Sequence, residues 1–489
     1  MKKSTLSFVI FVLCSGFFLF SCTTAEAPPN YTQNKDNDKT KTEIPAPELV
    51  LRSIHDNALV GSPAYAQLRY LCKDIGARLS GSKNAQKAVE YMKRVLDSMN
   101  LDTVYLQPVM VPHWERGAKE FCQIVGNDKN KINQKTLDIT ALGGSVGTDG
   151  KLKTEIIVVN SLDDLENLSK EEAQKYEGKI IFVTQPMDAK LISTFSAYGG
   201  CSSVRVNGAN SAAKVGAKAF LLRSLTLQHD NHPHTGVMVY EENIKKIPAA
   251  ALSTNSANYL EKLLSKAKKE NKSVEIELQL NCQTFLDVLS YNLIGELRGR
   301  EKPQEIITVG GHLDSWDLGE GAHDDGTGCL QSVEVLRLIQ KLETRPKRTI
   351  RCVLFANEEN GARGAKEYAK VAKDKNEKHI AALESDSGGF TPRGFRVQDS
   401  VRLKIIQKWL PLFEPYNLHK VEYGYGGVDI SPLSEFGTLL IGLEPDSQRY
   451  FDVHHAETDV FENVHEREFL LGAAAMTSLV YMMAEYGIE

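Results

Sequence analysis

The sequence has no surplus of basic residues. Lysine and arginine number 58 against 63 aspartates and glutamates, for a formal net charge of -5. Without a basic excess to neutralise phosphates there is no electrostatic reason to expect nucleic acid, and no nucleic-acid partner is expected. A long apolar run is also missing: the stretch at 6–20 is shorter than the ~20 residues that cross a bilayer, which argues against a transmembrane anchor. Cysteine is sparse and unpatterned. Beyond Cys14 and Cys22 come Cys72, Cys122, Cys201, Cys282, Cys329 and Cys352, with no Cys-x-x-Cys spacing. That spacing defines no disulfide framework, and a large domain does not need one, so these are expected mostly as buried thiols. Internal repeats are absent. What is present is the balance of a soluble globular protein, 42% hydrophobic and 25% charged. At roughly 150 residues per domain, a chain of 489 residues is expected to hold about three units.

The first 22 residues stand apart. Lys2 and Lys3 precede the apolar stretch, and the whole reads as a secretory signal that takes no part in the fold. Its end, Leu19-Phe20-Ser21-Cys22, resembles a lipobox, in which Cys22 becomes the lipidated first residue; plain signal cleavage nearby is the alternative. Residues 23–46, rich in Lys, Asp, Thr and Pro, read as a flexible tether. The expectation is an exported protein, lipid-anchored to a bacterial membrane and facing the periplasm or the cell exterior.

Over 48–100 the pattern is helical, with a break at 76–82, followed by a strand-like run at 103–111. The middle of the chain carries short β runs at 156–159, 179–183 and 219–222 and a helix at 209–215. It holds little that could carry chemistry. Its histidines, His229, His232 and His234, sit among Asn, Asp and Pro and read as a solvated loop rather than a metal cluster. From about 290 onward strands (306–309, 349–355, 380–383, 438–441) alternate with helices (328–339, 365–372, 401–412), and 466–486 reads as a long amphipathic helix. Such alternation predicts an α/β fold with a largely parallel sheet covered on both faces. The expected units are 47–125 and 286–489, forming one catalytic domain, with 126–285 inserted between them.

Polar residues gather where these strands end, the place where open α/β sheets bind ligands. Gly310-Gly-His-Leu-Asp-Ser-Trp-Asp leaves the first strand. In extended chain His312 and Asp314 point the same way, so Asp314 can hold the imidazole in its metal-binding tautomer. Gly321-Ala-His-Asp-Asp-Gly-Thr-Gly places Asp324 and Asp325 at a helix start, where either would also serve as a cap. In Phe355-Ala-Asn-Glu-Glu-Asn-Gly two glutamates can divide labour, one binding metal and the other acting as general base. Leu383-Glu-Ser-Asp-Ser-Gly-Gly and His454-His455-Ala-Glu-Thr-Asp459 complete the set. Each alone is ambiguous. Together, two imidazoles and three or four carboxylates on successive strand ends suit a pair of Zn2+ ions about 3.5–4 Å apart.

The combined pattern resembles the zinc aminopeptidase family of co-catalytic di-zinc exopeptidases, and most closely its plasma glutamate carboxypeptidase branch. Gly76-Ala-Arg-Leu-Ser-Gly-Ser-Lys-Asn, Pro112-His-Trp-Glu-Arg-Gly, Pro233-His-Thr-Gly and Gly427-Val-Asp-Ile also resemble that branch. The resemblance implies a mostly parallel mixed sheet with helices on both faces, of phosphorylase-hydrolase-like type, carrying an inserted smaller β-rich protease-associated domain. It implies His312 and Asp386 on one zinc, Glu359 and His455 on the other, and Asp324 bridging both. Glu358 would be the general base, Asp314 would orient His312, and Asp325 would support the bridge. It also implies a cis peptide between Asp324 and Asp325. The implied activity is hydrolysis of dipeptides or short peptides with free termini, and a homodimer is suggested by the resemblance alone. Two departures stand out: Asn357 occupies a position where relatives carry a small apolar residue, and His454 competes with His455 as the ligand. The rival readings are a binding protein on the same scaffold without catalysis, and a single-zinc glutaminyl cyclase.

Overall fold

Apolar runs become strands, and the strands form two eight-stranded sheets. The computed structural model describes residues 45–489; the leader, Cys22 and nearly all of the tether lie outside the described residues. The first sheet runs in the order Thr103–Glu115, Gln283–Leu297, Arg348–Phe355, Lys302–His312, Lys378–Glu384, Leu439–Pro445, Pro392–Val397 and Lys420–Tyr423. Its centre is parallel: Lys302–His312 pairs in parallel with Arg348–Phe355 on one side and Lys378–Glu384 on the other. The antiparallel pairings lie toward the edges. This is a mixed α/β architecture.

The second sheet is ordered Lys135–Thr136, Phe121–Ile124, Glu275–Gln279, Leu152–Val159, Ile180–Val183, Ala219–Arg223, Ala249–Leu252 and Ile139–Ala141. In sequence it lies between two strands that pair with each other in the first sheet, Thr103–Glu115 and Gln283–Leu297. It therefore begins ahead of residue 126 and ends ahead of residue 285.

Burial explains why the central strands carry no alternation. All of Arg348–Phe355 is buried, as expected for a strand covered on both faces. One face packs under the helices Pro47–Leu59, Lys83–Ser98, Thr327–Gln340 and Glu466–Tyr486, in a core holding Leu51, Leu96, Leu336 and Leu479. The other packs Val353 and Phe355 against Tyr368 of the helix Arg363–Asp374.

Two helices differ from their sequence patterns. Residues 401–412 form two short helices, Leu403–Gln407 and Leu410–Phe413. Pro411 has no N–H to donate to the carbonyl of Gln407 one turn back, so a continuous helix breaks between Gln407 and Leu410. The helix Glu466–Tyr486 is buried almost all round rather than amphipathic, since it lies between Pro47–Leu59 and Thr327–Gln340 in the first core. It is long and apolar enough to cross a membrane by length and composition, yet most of it is buried inside the fold. The cysteines Cys72, Cys122, Cys201, Cys282, Cys329 and Cys352 are free and buried.

Candidate metal centre

The first sheet aims three parallel strand ends at one point. Lys302–His312 delivers His312, Arg348–Phe355 leads into Glu358 and Glu359, and Lys378–Glu384 leads into Asp386. Asp324 and Asp325 come from the turn that opens the helix Thr327–Gln340. Close approach of that turn to the strands needs glycine. A Cβ on Gly311 would strike the Asp325 carboxylate, and one on Gly328 would strike Ser385 O and the same carboxylate. Asp325 fills this space, accepting the backbone N–H of His312 at 3.1 Å and of Gly328 at 3.0 Å. The Asp324–Asp325 peptide is cis.

Asp324 stands between the two imidazoles. Its Oδ1 lies 3.1 Å from His312 Nε2, and its Oδ2 lies 3.3 Å from His455 Nε2. On one side His312 Nε2 is 3.5 Å from Asp386 Oδ1; on the other His455 Nε2 is 3.3 Å from Glu359 Oε2. His454 is farther from this point, with Nε2 3.8 Å from Asp324 Oδ2. Its ring stacks on His455 at 3.5 Å.

Asp314 meets the imidazole through a different atom from the one its spacing predicts. His312 Nδ1 lies 3.0 Å from the backbone carbonyl of Asp314 and 3.9 Å from its carboxylate. The strand ends at His312, so the two-residue alternation no longer holds at Asp314. The carboxylate instead accepts the backbone N–H of Glu358 at 3.1 Å and the hydroxyl of Ser80 at 3.2 Å. Asn357 adopts a left-handed backbone, φ 65°, a conformation asparagine tolerates far better than a branched apolar residue.

Several supporting residues had no role assigned to them from the sequence. Arg78 is fully buried and donates to the carbonyls of Leu313, Glu320 and Gly321 at 2.6–2.8 Å, pinning the loop between His312 and Asp324. Asp459 accepts the backbone N–H groups of His323 at 2.8 Å and Asp324 at 3.1 Å. The second sheet also contributes, although its sequence promised little. Phe195, Tyr198, Arg205 and Val237 line the cavity over the cluster. His234 is buried rather than solvated, because its loop docks on the His454–His455 turn, with Nδ1 2.6 Å from His454 O. His232 meets Glu457 at 2.6 Å, while His229 stays exposed.

The electrostatics are unbalanced. Burial pushes the carboxyls of Glu358 and Glu384 up to about 8 and lifts Glu359 and Asp325 well above the usual range; Asp324, Asp386 or both push each of them the same way. Burial also opposes ionisation of Asp324, but the adjacent imidazoles of His312 and His455 outweigh it and hold that carboxyl well below its usual value. One Asp324 oxygen is buried with no hydrogen-bond partner. Buried acids facing only two or three imidazoles need positive charge from elsewhere. A donor set of imidazole nitrogen and carboxylate oxygen is one that divalent zinc accepts. Groups His312/Asp324/Glu359, His312/Asp325/Asp386 and Asp324/His454/His455 each bring candidate ligand atoms within 4.8 Å of one another.

The chain has relatives among known proteins. The model of peptidase family M28 matches residues 292–480. Carboxypeptidase Q of Mus musculus is 35% identical over 450 residues, covering 91% of this chain and 91% of that one. Carboxypeptidase Q of Xenopus laevis is 36% identical over 93% of this chain and 94% of its own. Among solved structures, a peptidase M28 precursor from Shewanella amazonensis superposes with TM-score 0.83 at 33% identity, over 90% of this chain and 97% of that one. An aminopeptidase from Aneurinibacillus shares the fold at TM-score 0.60 and 18% identity, over 91% of this chain and 98% of its own. The chain belongs to peptidase family M28, among relatives of carboxypeptidase Q, and is a zinc metallopeptidase.

Proposed function

We propose that the chain is a di-zinc exopeptidase that hydrolyses dipeptides and other short peptides with free termini. The observation that carries this reading is the position of Asp324, with one oxygen toward His312 and the other toward His455. His312 and Asp386 would hold one zinc, Glu359 and His455 the other, and Asp324 both. Bound zinc supplies Lewis acidity, lowering the pKa of water and polarising the scissile carbonyl.

The chain's own groups do the rest. Glu358 lines the cavity beside Asp324 and Asp386, where it takes the proton of the attacking water and returns it to the leaving amine. Its backbone is fixed by the Asp314 carboxylate, so the carboxyl is presented at a set depth. The backbone N–H of Trp316 donates to Glu359 Oε1 at 3.2 Å, keeping that carboxylate turned toward His455. The cavity encloses about 360 Å3, at the small end of the ~300–1,000 Å3 usual for ligand sites, and this favours short substrates.

The second sheet acts in this account as a protease-associated unit that walls the cavity. The protein is exported and held at a membrane through lipid on Cys22. It works on small peptides as a homodimer, with no nucleic-acid partner. The test is hydrolysis of a dipeptide panel by the zinc-loaded full chain, with and without chelator. Cleavage of free dipeptides that chelation abolishes and zinc restores is expected. Internal cleavage of long, end-blocked peptides, with dipeptides untouched, would remove the exopeptidase reading.

A further inference from the structure

A neutral imidazole binds metal through one nitrogen only when the other carries the proton, and a carbonyl oxygen facing that second nitrogen holds the proton there. Both imidazoles beside Asp324 have such a carbonyl, from different places. His312 has its own chain's, two residues on: Asp314 O lies 3.0 Å from Nδ1. For His455 the carbonyl comes from the second sheet. Its Nδ1 lies 3.3 Å from Thr235 O, in the segment between the strands Ala219–Arg223 and Ala249–Leu252. The Thr235 N–H returns the contact, donating to His455 O at 2.9 Å. The sequence 233–236, Pro-His-Thr-Gly, has no other part in the chemistry described above.

The segment is shaped for this approach. Gly236 has φ 131°, and a Cβ there would stand 2.6 Å from His455 Nδ1, so only glycine lets the chain lie against the ring. His234 Nδ1 donates to His454 O at 2.6 Å, and the His234 N–H donates to Ser224 Oγ at 2.9 Å. Gly236 O accepts the Gly143 N–H at 3.0 Å, and the Thr235 hydroxyl donates to Ala141 O at 2.8 Å, which ties the segment to its own sheet. His455 has a left-handed backbone, φ 62°, which a histidine keeps only where its surroundings hold it. Arg205 makes the opposite demand on the ring. Its Nη1 lies 3.4 Å from the same Nδ1 and can only donate. A ring accepting from Arg205 would carry its proton on Nε2, toward Asp324 and Glu359, and could not bind metal there. Thr235 O decides between the two tautomers.

We propose that the 233–236 segment of the second sheet is part of the metal centre: Thr235 O fixes the His455 tautomer, so the ion facing His455 and Glu359 is held tightly only with that segment docked. The ion facing His312 and Asp386 draws on the first sheet alone. This rests on the di-zinc reading above and makes the two metal positions unequal. His234 and Thr235 are positioning residues, acting through His455 and touching no ion themselves.

The experiment titrates zinc into the metal-stripped full chain and reads each binding step by native mass spectrometry, with no turnover involved. It compares the unaltered chain with His234→Ala, His234→Asn, Gly236→Ala and His455→Ala. In His234→Ala one ion binds as in the unaltered chain and the other about 10- to 100-fold more weakly, the usual loss when an outer partner of a metal histidine is removed. Gly236→Ala, whose methyl group meets the His455 ring, shows the same selective loss. His234→Asn, whose amide N–H can replace Nδ1 on His454 O, recovers most of it. His455→Ala binds one ion, and adding His234→Ala leaves the affinity for that ion within about twofold. Two ions bound with unaltered affinity in both His234→Ala and Gly236→Ala overturn the proposal. So does an equal loss at both steps, or a further loss in the His455→Ala background, since either reports a weakened fold rather than a lost partner of His455. Saturation of the unaltered chain at one ion overturns the di-zinc reading and this proposal together.

Discussion

The two sheets use the same device to opposite ends. In the first, parallel strands finish in His312, in Glu358 and Glu359, and in Asp386, and their buried charges have too few partners. In the second, parallel strands finish in Thr184, Ser224 and Ser253, and every one of these hydroxyls is satisfied locally. Thr184 donates to Glu261 at 3.0 Å and Ser224 to Leu252 O at 2.7 Å, while Ser253 accepts Ser256 N–H as a helix cap at 3.1 Å. Buried polar groups are normally paired, so the sheet whose strand ends break this rule is the one that expects a ligand. The sheet whose strand ends obey it supplies a wall, and its contribution to the cavity comes from side chains above it, Tyr198 and Arg205.

The contrast is sharpest in turnover. Glu358→Gln should lower kcat by about 10²- to 10⁴-fold, the usual worth of a general base, with metal content unchanged. Thr184→Val at a second-sheet strand end should leave kcat within about twofold and cost about 1 kcal/mol in a denaturant titration. Equal loss of turnover at both positions would erase the distinction.

Metal removal probes the same difference through stability. A ligand that binds only the folded state at a hundred times its Kd adds about 2.7 kcal/mol, so chelation should lower the melting temperature by several degrees and zinc should restore it. Asp324→Asn, with the shared carboxylate gone, should no longer respond to chelator.

Arg78→Met tests the loop that carries the cluster. Three buried carbonyls would lose their donor, at a cost of about 3–5 kcal/mol by chemical denaturation. Removing a cation that touches only second-sheet groups should cost less.

A further effect is on pH dependence, remote from both strand-end clusters. His55 is buried, stacked on Tyr416 with ring centroids 3.7 Å apart, and burial pushes its imidazole down to about 4. The unfolded chain takes up a proton near pH 6.5 that the folded chain refuses, so this contribution is complete above pH 6.5 and is lost as pH falls toward 4. Each tenfold difference in proton affinity is worth about 1.4 kcal/mol, and the loss on reaching pH 4 is about 3 kcal/mol, of which roughly 2 kcal/mol falls between pH 7 and 5. His55→Phe should flatten the fall in melting temperature over that interval.

How much of this could be read from the sequence follows from which interactions are local. His312, Glu358, Glu359 and Asp386 each sit in a short polar segment directly after an apolar run, and strand-end position converges such segments without knowledge of packing; Asp324 and Asp325 open a helix and His455 lies in a turn, each marked by its polar neighbours. The alternation that predicts the first sheet is local for the same reason. Other features depend on what lies opposite. His234 reads as a loop histidine until its loop is seen against His454. The helix Glu466–Tyr486 reads as amphipathic until its polar side proves buried as well. Arg205 did leave a trace: in Ser202–Lys214 it shares a buried face with Gly208, Ala209 and Ala212, and a cation among small residues on a buried face is a signal of function. Asp314 departs from its spacing at the level of the atom because the strand ends two residues earlier.

The central claim is that Asp324 is shared between two metal ions, and the most direct measurement is a count. Native mass spectrometry of the full chain, stripped of metal and titrated with zinc, should show two ions per chain, and two again in Glu358→Gln. Saturation at one ion per chain would contradict the shared carboxylate and return the single-zinc reading.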